Sequence, residues 1–432
     1  SAKDSGDSWV DSEILRITKD ELSRGWLNGP FSLAELPGDA VLTRRFGVRQ
    51  SCSSAIVGEK SKVRPIDDYT ESLVNQTASS VECISPHSID VIVSALMYRM
   101  RAVSRAGKAE SLRIKTVDLR KAYKQLPLAS DALRDAFFVI YNPDLKQPEC
   151  YQSLVLPFGA RSAVMAFCRA SQALWLVALV LLQLHLSVFY DDFVVVSAEA
   201  ESKHVELAVT SYFALLGWEV SSEKDAVFAS CARALGVLIS VADSRLLSVT
   251  VENTDERRSA LCKQIDDILQ AKTVSPKELV SLRGRLLFAE GQIFGRAAGL
   301  KMRVLGTACL SHASVPVDKS LLSALRFLKD RVVNGPPRRA LATHRPTMHE
   351  FTDAFQDPGE AGLGGVAYGS TGAVTCFFSE PLDAATVASF TLGDQQTIIY
   401  ALELMAVVVG LPALLPHPEL LDVIVYCDNE AA

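Results

Sequence analysis

The sequence predicts an α+β fold spread over more than one domain, and three observations predict it. Between residues 40 and 251 short β-like runs alternate with helical stretches, a mixture that indicates an α+β or α/β domain. From 254 to 305 the apolar period turns almost wholly helical. At 432 residues the chain exceeds the size at which one hydrophobic core stops growing.

Taken in order, residues 1–39 carry many acidic and small residues around one aromatic patch from Gly25 to Phe31, and read as a loosely structured lead-in without assigned chemistry. In 40–251 the β-like runs are 114–117, 136–141, 188–196 and 234–241, and the helical ones 89–106, 162–184 and 202–216. A helical domain over 252–332 follows, in which Ser275 and Pro276 start a helix with Glu278 in its first turn. The breaker-rich, basic stretch from Val333 to Arg339 places a linker over 333–348. In 349–432 strands are expected at 349–354, 364–368, 374–378 and 422–427, with a helix at 398–411.

Nine scattered cysteines, odd in number and without a C-x-x-C pair, fit reduced thiols inside a cell. The polar, acidic start has no signal-peptide pattern. The longest apolar run, 173–182, is broken by Gln183 and His185, short of the ~20 residues of a spanning helix, and reads as a buried helix. An intracellular protein of cytoplasm or nucleus, with no membrane partner, is therefore expected. The formal net charge of −6 argues against a nucleic-acid binder if charge is averaged over the chain. Charge is segregated, however: residues 257–303 hold ten basic and four acidic side chains, a local net of +6.

Tyr190-Asp191-Asp192-Phe193 lies between two apolar β-like runs, which puts both acids at the tip of a hairpin. Neighbouring carboxylates repel unless a cation neutralises them, and oxygen ligands of this kind select hard divalent ions such as Mg²⁺. A solvated Asp-Asp turn is the plainer alternative. Upstream, the strand Arg113 to Val117 ends at Asp118, which could equally be a helix N-cap. Phosphoryl transfer by two metals about 3.5–4 Å apart needs oxygen ligands from separate segments. Asp118 with Asp191 and Asp192 supplies such a set.

These residues bring a family into view. The segment from Arg44 to about Ser240 resembles the fingers and palm of reverse transcriptases, most closely those of DIRS-type and long-terminal-repeat retrotransposons. Five motifs occur in that family's order. They are Lys62 to Tyr69 with Asn75; Val117 to Leu128; Leu156 to Ala163, continuing to Phe167; Phe189-Tyr190-Asp191-Asp192; and Gly217 to Val220 leading to Lys224, then Ala234-Leu235-Gly236.

The resemblance implies a right-hand polymerase fold, with fingers and palm over 40–251 and a thumb over 252–332 whose basic face tracks the template-primer. It implies a reverse transcriptase that extends a primer on RNA or DNA templates with deoxynucleoside triphosphates. Asp118, Asp191 and Asp192 would be its catalytic, metal-binding residues, holding two Mg²⁺ ions, with Mn²⁺ able to take their place. Lys62 and Arg64 would grip the triphosphate, a role suited to the guanidinium fork. Tyr123 would crowd a ribose 2′-hydroxyl, and Phe158 and Gly159 would line the nucleotide pocket, the glycine because backbone must approach the substrate closely. Lys224 would assist pyrophosphate departure, and Leu235 and Gly236 would contact the primer. Lys121 departs from retroviral relatives, where the position is often acidic or small.

Further on, Phe351 to Ala354, Gly362 to Val366, Ala401 to Ala406 and Tyr426 to Asn429 resemble ribonuclease H motifs. They imply an α/β domain over 349–432 in which Asp353, Glu403 and Asp428 bind two further Mg²⁺ ions. The family's fourth acid would lie beyond Ala432, so this domain is expected to be partial, with Leu402, Val407 and Ile424 short of packing partners. Two other readings compete: a catalytically silent nucleic-acid-binding remnant of a retroelement, and an RNA-templated RNA polymerase, which Tyr123 and the ribonuclease H-like tail disfavour.

Overall fold

Asp7 accepts hydrogen bonds from the amides of Trp9 and Val10 and so starts helix α1 (Ser8–Ser23). This computed structural model describes residues 3–50, 62–79, 84–221, 226–311, 313–343, 345–390, 398–414 and 422–428. Val10, Ile14 and Leu15 form one stripe of α1 and pack with Leu27, Val63, Phe138, Ile140 and Tyr151. The expectation of a loose lead-in over 1–39 is thus corrected. An amphipathic helix is built there, its short apolar stripe hidden in an acidic sequence.

The chain divides into two units, Ser1–Ala342 and Thr343–Ala432. The first unit continues with strands β1 (Leu27–Phe31), β2 (Leu42–Gln50) and β3 (Lys62–Asp67), helices α2 (Val74–Thr77) and α3 (Ile89–Arg105), and strands β4 (Leu112–Asp118), β5 (Phe137–Asn142) and β6 (Gln147–Ser153). Helix α4 (Arg161–Leu182), strands β7 (His185–Phe189) and β8 (Asp192–Ala198) and helix α5 (Ser202–Leu215) follow. Five strands form one sheet in the order β1-β6-β5-β2-β3, and three form a second in the order β4-β8-β7.

The smaller sheet is buried on both faces, which is why β8 reads as an unbroken apolar run. Phe193 and Val195 face Phe167 of α4 and Tyr212 and Phe213 of α5. Val194 and Val196, one residue out of phase, join Leu96 and Met100 of α3. By length and composition α4 is long and apolar enough to cross a membrane. Its inner face is domain core, with Phe167, Leu174 and Ala178 buried and the Trp175 indole N–H donating to the Leu186 carbonyl. The reading of 173–182 as simply buried is corrected: Leu176, Val180 and Leu181 are exposed, because only one side of the helix meets the sheet.

Strands β9 (Cys231–Ala234), β10 (Val237–Ser240) and β11 (Ser248–Asn253) lead to a helical bundle of α6 (Asp255–Gln270), α7 (Pro276–Glu290), α8 (Gly299–Ala308) and α9 (Lys319–Asn334), with the short pair β12 (Thr273–Val274) and β13 (Val315–Pro316). Ser275 and Glu278 form a reciprocal capping box at the start of α7, with Pro276 at its first turn. Pro336 and Pro337 end this run. The chain then adds β14 (Arg338–Leu341) to the edge of β11. The linker expected over 333–348 is corrected accordingly, since its first half is the end of α9 and a strand of the first unit.

In the second unit β15 (Thr347–Asp357), β16 (Glu360–Tyr368) and β17 (Val374–Pro381) are successive antiparallel strands, α10 (Ala384–Phe390) and α11 (Ile399–Leu414) follow, and β18 (Asp422–Tyr426) pairs parallel with β15. Leu402 and Ala406 of α11 pack on Ala354 and Leu363. Leu402 is fully buried, contrary to the expectation that it lacks partners, whereas Ile424 is exposed. Beneath α11, Glu350 is fully buried, and neither carboxylate oxygen has a hydrogen-bond partner among the described residues.

Candidate active site

Antiparallel pairing of β4 with β8 sets Asp118 directly opposite Asp192. Phe189 pairs with Asp192 across the β7–β8 hairpin, so Tyr190 and Asp191 make the whole of its turn. Tyr190 takes a φ of 54° there. A side chain in that left-handed region is strained by about 1–3 kcal/mol, and such strain concentrates at functional sites. Three carboxylates from two chain segments therefore meet at one end of the small sheet. They border a cavity of about 930 Å³.

The same cavity is lined by residues expected to hold a nucleotide. Lys62 and Arg64 are exposed on β3, and both line the cavity. The Arg64 guanidinium lies 5.4 Å from the Phe158 ring centroid. Tyr123 stacks on Phe167 at 4.6 Å and meets Phe158 edge-on at 5.9 Å, which fixes its ring at the cavity wall. Burial, and after it the proximity of Cys168 and Asp191, pushes the Tyr123 hydroxyl up to about 12. Gly159 has a φ of 121°, and a Cβ there would stand 2.2 Å from the Asp67 carbonyl oxygen. The close approach of the β3 backbone is therefore itself a reason for glycine at this position. Asn75 locks this crossing by donating to the Gly159 carbonyl and accepting from the Arg161 amide. Lys224 lies outside the described residues.

Sequence reasoning missed α1 altogether. Arg16, Ile17, Asp20 and Glu21 line the same cavity as the aspartates. Asp20 accepts from Arg24 at 3.0 Å and from Lys121 at 2.9 Å, and the two hold its carboxyl down at about 2. Arg45, with a side chain 1% exposed, donates to Asp67 at 2.6 Å and to Glu21 at 2.8 Å. Lys124 Nζ, also buried, sits 3.5 Å from Glu21. Burial alone would raise the Glu21 carboxyl, but the Arg45 and Lys124 charges overcome it and hold it below the usual range. Burial lowers the Lys124 ammonium. These four charges join α1, the Lys62–Arg64 strand and the turn after Asp118. The available sequence signal was the pair of doublets Arg44-Arg45 and Asp67-Asp68.

Leu235 and Gly236, expected to contact primer, form the two-residue turn between β9 and β10, with φ of 49° and 74°. Two successive positive φ values suit the twist of a tight hairpin. In the second unit Asp353 lies on β15 opposite Gly364, Glu403 is buried on α11, and Asp428 follows β18. Burial raises the Glu403 carboxyl, with the charges of Asp353 and Asp428 adding to it and the Ala354 amide opposing. Ligand atoms of Glu403, Cys427 and Asp428 lie within 4.8 Å of one another. Cys427 was not anticipated; its thiol points at Glu403 from 3.7 Å.

Residues 59–239 match the family model described as reverse transcriptase (RNA-dependent DNA polymerase). No curated protein matches. Among solved structures, the foamy viral protease-reverse transcriptase dRH in complex with double-stranded DNA aligns at a TM-score of 0.59 and 16% identity, over 98% of this chain and 64% of that one. The same viral protein with an RNA/DNA hybrid aligns at 0.56 and 16%, over 97% and 48%. With double-stranded DNA it aligns at 0.58 and 16%, over 99% and 76%. At that identity the likeness is one of fold, and the chain spans 64% and 48% of the first two. The chain thus has the polymerase fold of these reverse transcriptase structures, and its residues 59–239 are similar to the reverse transcriptase family.

Proposed function

We propose that this protein is an RNA-directed DNA polymerase that also copies DNA, extending a primer with deoxynucleotides as part of a DIRS-type or long-terminal-repeat-like retrotransposon. The observation that carries the reading is the pairing of Asp118 against Asp192, with Asp191 in the adjoining turn, beside a cavity bordered by Lys62, Arg64 and Tyr123. Three carboxylates and no sulfur or imidazole make a donor set for hard cations, and two Mg²⁺ ions fit it. When bound, such ions neutralise the triphosphate and make the primer 3′-hydroxyl a better nucleophile.

The chain's own residues supply position. Arg64 offers a fork of donors to phosphate oxygens and Lys62 a point charge. Tyr123, held by Phe167 and Phe158, fills the space beside the sugar C2′. Phe158 and Gly159 shape the base side of the pocket, while Leu235 and Gly236 present a rigid turn to the primer strand. In the second unit Asp353, Glu403 and Asp428 are assigned to a ribonuclease H-like site, again for Mg²⁺. The deciding experiment is primer extension on RNA and DNA templates by wild type and Asp191→Asn. The variant is expected to lose extension and keep primer-template affinity, because phosphate contacts elsewhere supply binding. Extension by Asp191→Asn at the wild-type rate would remove the mechanism.

A further inference from the structure

The aspartates of the first unit offer a metal ion oxygen alone, whereas the second unit offers sulfur as well. Among the described residues, Glu403, Cys427 and Asp428 form a tight group whose ligand atoms lie within 4.8 Å of one another. Asp353, the acid expected to complete the ribonuclease H-like set, stays outside that group, and its Oδ1 accepts the Ala354 amide at 2.9 Å. Strand alternation explains why Cys427 is there instead. Val423 of β18 packs with Leu411 and Leu414 of α11, and Cys427, an even step further along the chain, comes out on the same covered face. Its thiol meets the Glu403 carboxylate, 4% exposed, at 3.7 Å. Asp428 closes the group from the solvent side. Two carboxylates held this close favour a cation between them.

Sulfur changes which cation that is. Carboxylate oxygens suit Mg²⁺, and a thiolate among them favours Zn²⁺. Zinc takes sulfur at about 2.3 Å and carboxylate oxygen at about 2.0–2.2 Å in a tetrahedron, which sets the two donors roughly 3.6 Å apart. The 3.7 Å between Cys427 Sγ and Glu403 Oε2 already has that span. We propose that Glu403, Cys427 and Asp428 hold a zinc ion, with water in the fourth position, and that this ion shuts Mg²⁺ out of the ribonuclease H-like site. As zinc binds, the thiol proton leaves to solvent and the sulfur lone pair makes the bond to the metal. Glu403 and Asp428 are then committed to zinc, so hydrolysis that needs them for Mg²⁺ stops until zinc is removed. For that consequence the inference rests on the ribonuclease H-like reading, to which it adds a regulator.

The test titrates the whole chain with Co²⁺, a coloured stand-in for zinc, and with Zn²⁺ against a chelating dye, alongside Cys427→Ser and Asp428→Asn. Wild type is expected to develop the near-ultraviolet absorption of a cobalt–thiolate bond, which zinc then abolishes. Cys427→Ser should lack that absorption. Both variants should bind zinc at least about tenfold more weakly, since even a lost supporting contact costs about 10–100-fold. Excess Mg²⁺ should leave zinc on wild type and displace it from Cys427→Ser. Asp428 is exposed, so its substitution tests the site even if Cys427→Ser fails to fold. If the cobalt absorption is absent from wild type or persists in Cys427→Ser, or if both variants keep wild-type zinc affinity, the site is overturned. Cleavage of the RNA strand of an RNA/DNA hybrid in Mg²⁺, with added zinc and with chelator, is read separately. Inhibition by zinc that chelator reverses supports the regulator, and cleavage untouched by zinc at full occupancy overturns it. No cleavage by any of the three proteins, with the cobalt and zinc results as expected, would sink the ribonuclease H-like reading and leave the zinc site standing.

Discussion

Lys121 Nζ reaches Asp20 at 2.9 Å and ties the turn after Asp118 to a helix 101 residues upstream. Both side chains are more than a third exposed, so the pair contributes at most about 1 kcal/mol to stability. Lys121 also holds a left-handed φ of 49°, which makes this turn one that benefits from an external tether. Lys121→Ala is expected to leave the melting temperature within a few degrees and to lower kcat/KM for nucleotide incorporation severalfold. The double exchange Asp20→Lys with Lys121→Asp should recover part of the loss. Equal kinetics for all three proteins would show that the tether has no bearing on the site.

Arg45 is a different case, because it is buried between two carboxylates. Removing one member of a buried charge network leaves its partners uncompensated, at about 3–5 kcal/mol. Arg45→Met should therefore shift the urea midpoint strongly, and Glu21→Gln should do so less. The Glu21 contribution has a defined pH window. Its folded-state carboxyl is depressed, so its stabilising effect is full above the ordinary carboxylate value and disappears as pH falls through the lowered one. Denaturation of wild type and Glu21→Gln from pH 6 to pH 3 should converge toward the acid end.

Tyr123 owes its position to Phe167 on one side and Phe158 on the other. Tyr123→Val empties the space next to the sugar and is expected to raise ribonucleotide incorporation relative to deoxynucleotide at least tenfold. It also removes a stacked ring, destabilising the first unit by about 1–3 kcal/mol. Competition between the two nucleotide types on one template reads the first effect, and an unchanged ratio would reduce Tyr123 to a packing residue.

Glu350 gives the opposite pH signature to Glu21. Burial raises its carboxyl, so the neutral acid is favoured in the folded unit. Its stability is fullest below the ordinary glutamate value and is lost as pH rises through the raised one. Glu350→Gln is expected to stabilise the second unit at pH 8 and to have little effect near pH 4. A stability difference independent of pH would mean that Glu350 gains a partner in solution.

Much of this was legible in residues 112–198. The unbroken apolar run of β8 announces a strand covered on both faces, and Asp191 with Asp192 at its start leaves little room for another placement. The capping box at Ser275 was equally plain, since it is local chemistry. What escaped were features set by distant partners. The helix α1 alternates a thin apolar stripe with acids, and isolated helices of that length depend on tertiary packing. Either arginine of the doublet Arg44-Arg45 could have been the buried one. The alternation along β2 decides for Arg45, which turns inward to Asp67 while Arg44 meets Glu71 at the surface. Cys427 gave no signal, because a lone cysteine says nothing until α11 brings Glu403 to it.

Gly159 extends the matter from chemistry to heredity. Every missense change at a glycine codon adds a Cβ, and at this position a Cβ would strike the Asp67 carbonyl oxygen in the strand that carries Arg64. The position has no neutral drift open to it. A single hit there pushes the strand that carries Arg64 away from the cavity which that side chain lines. Gly159 is thus a sentinel for the placement of Arg64: a chain altered at this codon is expected to lose that placement, whatever else it retains.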